Sequence, residues 1–376
     1  IGWQGLTTEE YLSTGDYGLV TGTDFRDGYI DWDNCVYVEK IRYVQDKNIQ
    51  LKVNDVLVTK DGTIGKVAFV NKLPNPTTLN SGIFVVRPKN PNIDERFFYY
   101  ILMSSYFDIF LSKITAGSTI THLYQKDFST FNFILPPRFE QNAIAQVLSD
   151  TDSYINSLEK LIEKKSQIKQ GAMQELLKPK DGWETKTIKE VATYRRGSFP
   201  QPYGLDKWYD DISGFPFVQV FDVDDNNRLK DETKRYISKA AQQMSVFVKK
   251  GSIILTIQGS IGRIALTQYD AYVDRTLLIF ESFKIPFNSF FFMISIWRIF
   301  EIEKELAPGG IIKTITKEAL SSFKISYPKI IEQERIAQIL SDIDIEVHAL
   351  EEKLKKAKSI KDGMLQNLLT GKIRLI

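Results

Sequence analysis

Apolar residues recur every seven positions in two long stretches of the chain, with charged residues on the flanks. The columns of the first stretch are Val147, Tyr154, Leu161, Ile168 and, beside it, Leu148, Ile155, Ile162. Those of the second are Ile336, Ile343, Leu350, Ala357, Met364 and Leu340, Val347, Leu354, Leu368. A sustained heptad pattern predicts coiled-coil helices. Each helix is expected to begin just after a proline, because proline tolerates the first helical turn but not the interior.

The two stretches are copies of each other. Glu140–Asp152 reads EQNAIAQVLSDTD, and Glu332–Asp344 reads EQERIAQILSDID. At a constant offset of 192 and without gaps, Phe131–Leu177 and Phe323–Leu369 share 20 of 47 residues. Agreement at this level over an ungapped stretch indicates a duplication. Two helices of equal length are expected to pack on each other.

The segments between the helices repeat more loosely. VTKDGTIGKVAFV at Val58–Val70 matches LTIQGSIGRIALT at Leu255–Thr267, and β-branched runs around such glycine turns predict strands. An aromatic-rich helix is predicted in each half, at Asp94–Ile114 and Pro286–Leu306. We therefore predict an α+β fold in which two tandem-repeated α/β domains are separated by two long, antiparallel coiled-coil helices.

The predicted boundaries follow the repeat: a first globule at 1–130, a central long helix at 131–180, a second globule at 181–322 and a C-terminal long helix at 323–376. The segment Asp181–Gly197 has no counterpart before Ile1, and the chain does not begin with Met. We therefore expect that the sequence is truncated at its N-terminus.

Composition narrows the class of protein. A chain of 376 residues is expected to form two or more cores. Its one cysteine, Cys35, excludes a disulfide framework and favours the cytoplasm. The most apolar run, Phe290–Trp297, is far shorter than the roughly 20 residues of a membrane span. The net charge of +2 supplies no general attraction for nucleic acid, so any DNA contact must come from local patches or from a partner.

The doubled arrangement resembles a known family. Pro136–Asp152, its copy Pro328–Asp344 and the closing LLTGKIRL at Leu368–Leu375 look like the specificity (S) subunits of Type I restriction–modification enzymes. The GTIGK and GSTI loops of the globules fit the same family, and the resemblance covers essentially the whole chain. The resemblance implies that each globule is a target recognition domain, so that the DNA target is bipartite and asymmetric, with a gap set by the helices.

The resemblance also implies the partners. The helices would dock two methyltransferase (M) subunits, which use S-adenosylmethionine, and restriction (R) subunits that use ATP and Mg would join them. The chain itself would bind double-stranded DNA but hold no cofactor and perform no catalysis. The sequence agrees, since it lacks a G-x-x-x-x-G-K-[ST] phosphate loop, and His122, His348 and Cys35 have no metal-ligand spacing.

The candidate DNA contacts are residues in and beside the glycine turns, and the loop after each aromatic helix, because Arg, Lys, Gln and hydroxyl side chains contact bases and phosphates. They are Lys60, Thr63, Lys66, Ser118, Thr119, His122, Tyr124, Arg195, Arg196, Gln258, Ser260, Arg263, Lys313, Thr314 and Lys317. A tight β-turn with a solvated basic residue would give the same pattern without any DNA contact.

The candidate partner contacts are polar residues that recur at matched places although none belongs to the apolar columns. They are Glu140, Gln141, Asp150, Asp152, Glu332, Gln333, Asp342 and Asp344. Solvated faces drift freely between duplicated copies, so retention indicates a partner that is bound twice. The preference of helix N-termini for acidic residues accounts for the two glutamates without a partner.

Two other readings stay open. In the first, the chain is a coiled-coil scaffold that joins two protein-binding domains and ignores DNA sequence. In the second, it is an enzyme with a hidden nuclease or methyltransferase site, which predicts a metal- or cofactor-dependent activity abolished by one carboxylate change.

Overall fold

The computed structural model describes residues 5–115, 122–306, 315 and 317–375. The chain divides into two compact units, Ile1–Leu161 with Leu350–Ile376, and Ile162–Ala349. The strands of the first unit are β1 (Tyr17–Val20), β2 (Phe25–Arg26), β3 (Tyr29–Ile30), β4 (Val36–Val38), β5 (Val56–Thr59), β6 (Val67–Phe69), β7 (Thr77–Leu79) and β8 (Ile83–Val86). Its helices are α1 (Lys40–Gln45), α2 (Glu95–Leu102), α3 (Ser105–Thr115), α4 (Gln125–Phe128) and the first part of the long helix α5 (Arg138–Leu176).

The second unit begins within α5 and ends within the other long helix, α10 (Ile330–Leu368). Its strands are β9 (Glu184–Thr187), β10 (Ala192–Arg196), β11 (Phe215–Val218), β12 (Arg235–Ile237), β13 (Val246–Val248), β14 (Ile253–Thr256), β15 (Ile264–Leu266), β16 (Ala271–Val273), β17 (Leu277–Phe283) and β18 (Lys324–Tyr327). Its other helices are α6 (Ile188–Val191), α7 (Lys239–Gln242), α8 (Ser289–Leu306) and α9 (Lys317–Ser322).

The two globules share a sheet topology. One sheet has the order β4-β1-β7 in the first unit and β12-β11-β16-β13 in the second. In both, the central strand runs parallel to one neighbour and antiparallel to another. The other sheet has the order β2-β3-β6-β5-β8 in the first unit and β10-β17-β14-β15 in the second. In the first unit β5 lies between two antiparallel neighbours, and in the second β14 does. The predicted α+β fold with two repeated domains is confirmed.

The aromatic-rich segments form the helices that cover these sheets, but they differ from each other. The prediction of one helix at Asp94–Ile114 is wrong, because the helix breaks into α2 and α3. At the break, the buried Ser104 hydroxyl donates to the Ile101 carbonyl at 2.6 Å, and such a bond competes with helical hydrogen bonding. The counterpart α8 is continuous, as predicted.

The long helices α5 and α10 are each 39 residues long and start after the expected prolines. In the first unit the start of α5 packs beside the end of α10, and in the second the end of α5 packs beside the start of α10, so the pairing is antiparallel in both. The seam of α10 is as predicted. In α5 the column containing Tyr154, Leu161 and Ile168 is wrong, because these side chains are exposed, and the neighbouring Leu148 and Ile155 are buried instead.

A buried glutamine fixes each aromatic-rich helix to the start of a long helix. Gln141 accepts a hydrogen bond from the Asp94 amide at 2.9 Å, and Gln333 accepts one from the Asn288 amide at 3.0 Å. Each glutamine also donates to the carbonyl of the proline five residues upstream. Asp94 and Asn288 cap α2 and α8, so the same side chain connects both helix N-termini in each unit.

Candidate DNA-reading loops and partner-binding helix faces

The glycine turn between β5 and β6 and that between β14 and β15 have the same hydrogen bonds. The Thr59 hydroxyl accepts from the Lys66 amide at 2.9 Å and donates to the Thr63 carbonyl at 2.5 Å. The Thr256 hydroxyl accepts from the Arg263 amide at 3.0 Å and donates to the carbonyl four residues after it. The threonine that ends the first strand therefore stabilises each turn through hydrogen bonds to the turn backbone.

One glycine in each turn lets that turn lie close to a helix. Gly65 and Gly262 have φ of +84° and +88°, a region that disfavours other residues. A Cβ at Gly65 would overlap Leu111 on α3, and one at Gly262 would lie 2.7 Å from Phe300 on α8. The second glycine of the repeated Gly-[Ser/Thr]-Ile-Gly pattern is thus required by backbone conformation and packing, whether or not DNA binds.

The first loop exposes Thr63 and Lys66 but not the third candidate there. Lys60 is only 8% exposed, and its ammonium lies 5.2 Å from the centroid of the Phe84 ring. The expectation that Lys60 would be displayed beside the turn is corrected, because its stem is buried and its charge lies on an aromatic face.

His122 and Tyr124 lie beside the first loop. His122 forms a bridge with Asp61 through the backbone, and its Nδ1 contacts the Asp61 carboxylate. Its ring packs 4.7 Å from the exposed Tyr124 ring, over which the Lys126 ammonium lies at 5.5 Å. Asp61 and Lys126 were not among the candidates, since their closeness to His122 depends on the fold.

In the second loop Gln258 and Ser260 are exposed, whereas Arg263 is engaged within the chain. Its guanidinium donates to Asp225 at 2.9 Å and to the Val223 carbonyl at 3.2 Å. A phosphate or base contact by Arg263 would have to compete with this ion pair.

Arg195 and Arg196 lie at the same end of the sheet's strands as the second loop. Both lie on β10, whose neighbour β17 pairs with β14, the strand that leads into the turn. With Ile257 at the start of the turn and Leu278 on β17, they line a cavity of about 270 Å³.

The remaining DNA candidates cannot be placed: Ser118, Thr119, Lys313 and Thr314 lie outside the described residues. Lys317 begins α9, and its side chain also lies outside the described part of the chain.

The helix candidates divide into buried and exposed residues. Glu140, Gln141, Gln333 and Asp152 are buried. This corrects the premise that all eight lie on a solvated face. For Gln141, Gln333 and Asp152, contacts inside the chain already explain the retention, whereas Glu332, the counterpart of Glu140, is exposed.

Glu140 illustrates a difference between the copies. Arg374, near the C-terminus, donates from Nε and Nη2 to the two Glu140 carboxylate oxygens at 2.6 and 2.5 Å. This side-chain hydrogen bond from Arg374 lowers the pKa of Glu140. The residue 192 positions before Arg374 is Gly182, and the counterpart Glu332 is exposed.

A pair of reciprocal ion pairs joins the long helices. In the first unit the Lys361 ammonium lies 2.6 Å from the buried Asp152 carboxylate, which also accepts from the Tyr100 hydroxyl at 2.7 Å. In the second unit Lys169 lies 2.5 Å from Asp344. Burial raises the pKa of Asp344, and the charge of Lys169 opposes that rise. The two lysines are themselves repeat equivalents, but their pairing with the aspartates depends on how the helices pack.

Asp150 and Asp342 are the exposed pair that remains. Each accepts a hydrogen bond from a glutamine one turn earlier, Gln146 at 2.7 Å and Gln338 at 2.6 Å. These glutamines are also repeat equivalents.

Within the described residues, no three His, Cys, Asp or Glu side chains are placed to hold a metal ion. Among the helices of that part of the chain, none is long and apolar enough to cross a membrane.

Comparison with known proteins identifies the class. The family model described as the Type I restriction modification DNA specificity domain matches residues 6–170 and again 180–358. The chain therefore belongs to this family and is a DNA-sequence-specificity subunit. Such subunits are not catalytic, and they bind DNA and assemble with the methyltransferase and restriction subunits. The expected resemblance is confirmed.

Individual proteins agree with this assignment. The chain is 26% identical over 387 residues to a Methanocaldococcus jannaschii protein named Type I restriction enzyme MjaVIII specificity subunit, covering 93% of this chain and 87% of that one. The crystal structure of a Type I S subunit from M. genitalium has a TM-score of 0.65 at 16% identity, covering 98% of this chain and 92% of that one. A chain from a study of assembly and conformational transition of the type I R-M system has a TM-score of 0.53 at 16% identity, covering 97% and 95%. The two structural likenesses concern the fold.

The buried ion pair in the first unit makes a prediction about stability. Replacing Asp152 by Ala should lower the free energy of unfolding by about 3–5 kcal/mol, because Lys361 would lose its partner in a largely buried place. Asp150→Ala, two residues away on the exposed face of α5, should change it by less than about 0.5 kcal/mol. Urea denaturation of the two variants measures the difference, and equal effects would contradict the role of Asp152.

Proposed function

We propose that the two globules read the two halves of a bipartite, asymmetric DNA target, and that the two long helices set the gap between the halves. This proposal rests on the pair of glycine turns, which have the same backbone hydrogen bonds but expose different side chains. Thr63 corresponds to Ser260, and the exposed Asp61 corresponds to the exposed Gln258. The exposed Lys66 corresponds to Arg263, whose guanidinium is engaged by Asp225. One scaffold that carries different hydrogen-bonding groups is suited to two different base sequences.

Within each turn we assign roles by chemistry. Gln258, Ser260 and Thr63 are suited to base edges, whereas Lys66 is suited to phosphate. Arg195 and Arg196 lie beside the second turn and add positive charge there. Tyr124 and His122 flank the first turn as further candidates.

The helices are proposed to dock two methyltransferase subunits, through which restriction subunits join. In this proposal S-adenosylmethionine, ATP and Mg belong to those partners, and this chain binds none of them. The assembly acts on double-stranded DNA in the cytoplasm. The exposed members of the helix candidates, Glu332, Asp150 and Asp342, support docking better than the buried ones do.

Exchange of one globule tests the two-reader proposal. Replacing Trp183–Ser322 with the corresponding segment of a relative that has another target should change one half of the recognised sequence and leave the other half unchanged. The target of the assembled complex is read by binding selection from a random DNA pool. A change in both halves, or in neither, would contradict the proposal.

A single lysine tests the first glycine turn. Lys66→Ala should weaken DNA binding by the assembled complex and lower the slope of log affinity against log salt concentration by about 0.9, the loss of one phosphate contact. Lys72→Ala, an exposed lysine beyond the other end of β6, is the matched control and should leave the slope unchanged. Equal slopes for wild type and Lys66→Ala would remove Lys66 from the interface.

A further inference from the structure

An exposed apolar side chain occupies the same place at the start of both long helices. Phe139 on α5 is 63% exposed, and Ile331 on α10, its repeat equivalent, is 78% exposed. Single exposed apolar residues are ordinary on protein surfaces. Two exposed apolar residues at equivalent positions of diverged copies are less expected. The residue type differs between Phe139 and Ile331, but its apolar character is the same.

The hydrogen-bonded glutamine and aspartate follow on the same side of each helix. Residues seven and eleven positions after a starting residue return to within about 20° of it on an α-helix. Gln146 and Asp150 stand at these spacings from Phe139, and all three are exposed. Gln338 and Asp342 stand at the same spacings from Ile331 and are likewise exposed.

Each unit therefore has one exposed helix face composed of an apolar residue, a glutamine and an aspartate. The first face is Phe139, Gln146 and Asp150, and the second face is Ile331, Gln338 and Asp342. In both, the glutamine amide donates to the aspartate, which fixes the carboxylate orientation. Unlike the buried candidates, these residues make no core contact or helix-to-helix ion pair with any residue that the structure describes, so such contacts do not explain their retention.

We infer that the two faces are two copies of one docking site, each taking one methyltransferase subunit. This rests on the proposed function, which brings that subunit in twice. The matching surface would provide an apolar pocket for Phe139 or Ile331 and a cationic or amide N–H donor for the aspartate. DNA does not fit, because a carboxylate repels phosphate.

Removing each apolar anchor separately tests the inference. The full chain is co-expressed with its methyltransferase subunit, and the stoichiometry is measured by native mass spectrometry. Wild type should carry two methyltransferase copies. Phe139→Ser and Ile331→Ser should each carry one, with affinity at the altered site at least about tenfold weaker. The double variant should carry none.

Two controls keep the result specific. Ile41→Ser with Ile212→Ser removes apolar residues that are 73% and 100% exposed on the globules, and this control should keep both copies. Circular dichroism of the free chains should show that all variants remain folded, since exposed substitutions cost little.

Several results would overturn the inference. They are two copies bound at wild-type affinity by the double variant, loss of both copies from either single variant, or loss of binding by the control. A wild-type chain that is dimeric alone, and that the double variant makes monomeric, would assign the faces to a second copy of this chain. A wild-type chain that binds no methyltransferase would contradict the proposed function itself.

Discussion

The reciprocal ion pairs between the long helices are the constraint on which the rest of the architecture depends. Asp152 pairs with Lys361 in one unit, and Asp344 pairs with Lys169 in the other. Each antiparallel pairing therefore uses one copy of the duplicated aspartate and one copy of the duplicated lysine. A buried carboxylate needs its partner, and a shift of one helix along the other would separate them. Each globule is attached to this framework through a buried glutamine at the start of a long helix.

Duplication separates what the fold requires from what a partner could require. Gln141 and Gln333 are retained because each connects two helix N-termini, and Asp152 because it holds Lys361. Gly65 and Gly262 are retained because a Cβ at either position would strike the neighbouring helix. Variation is allowed at the tips of the turns, where DNA specificity is proposed, and the exposed aspartates persist without a core role.

Periodicity and repetition predicted the long helices, their starts and the paired strands around the glycine turns, because these features are local or are written twice. They did not predict that Tyr154 on α5 is exposed. A heptad pattern alone does not show which of two adjacent apolar columns faces the partner helix. Lys60 and Arg263 were read as displayed cations, yet Phe84 and Asp225 engage them from other parts of the sequence. Contacts of this kind depend on tertiary structure.

Two readers on one chain are proposed to place methyltransferases on a split DNA target. The most direct measurement is a map of modified bases in DNA from cells that carry this chain with its methyltransferase subunit, compared with cells that lack the chain. We expect a single motif of two defined halves around a nonspecific gap, with adenine modified on opposite strands in the two halves. Modification at a continuous motif, or none from a complex that assembles and binds S-adenosylmethionine, would contradict it.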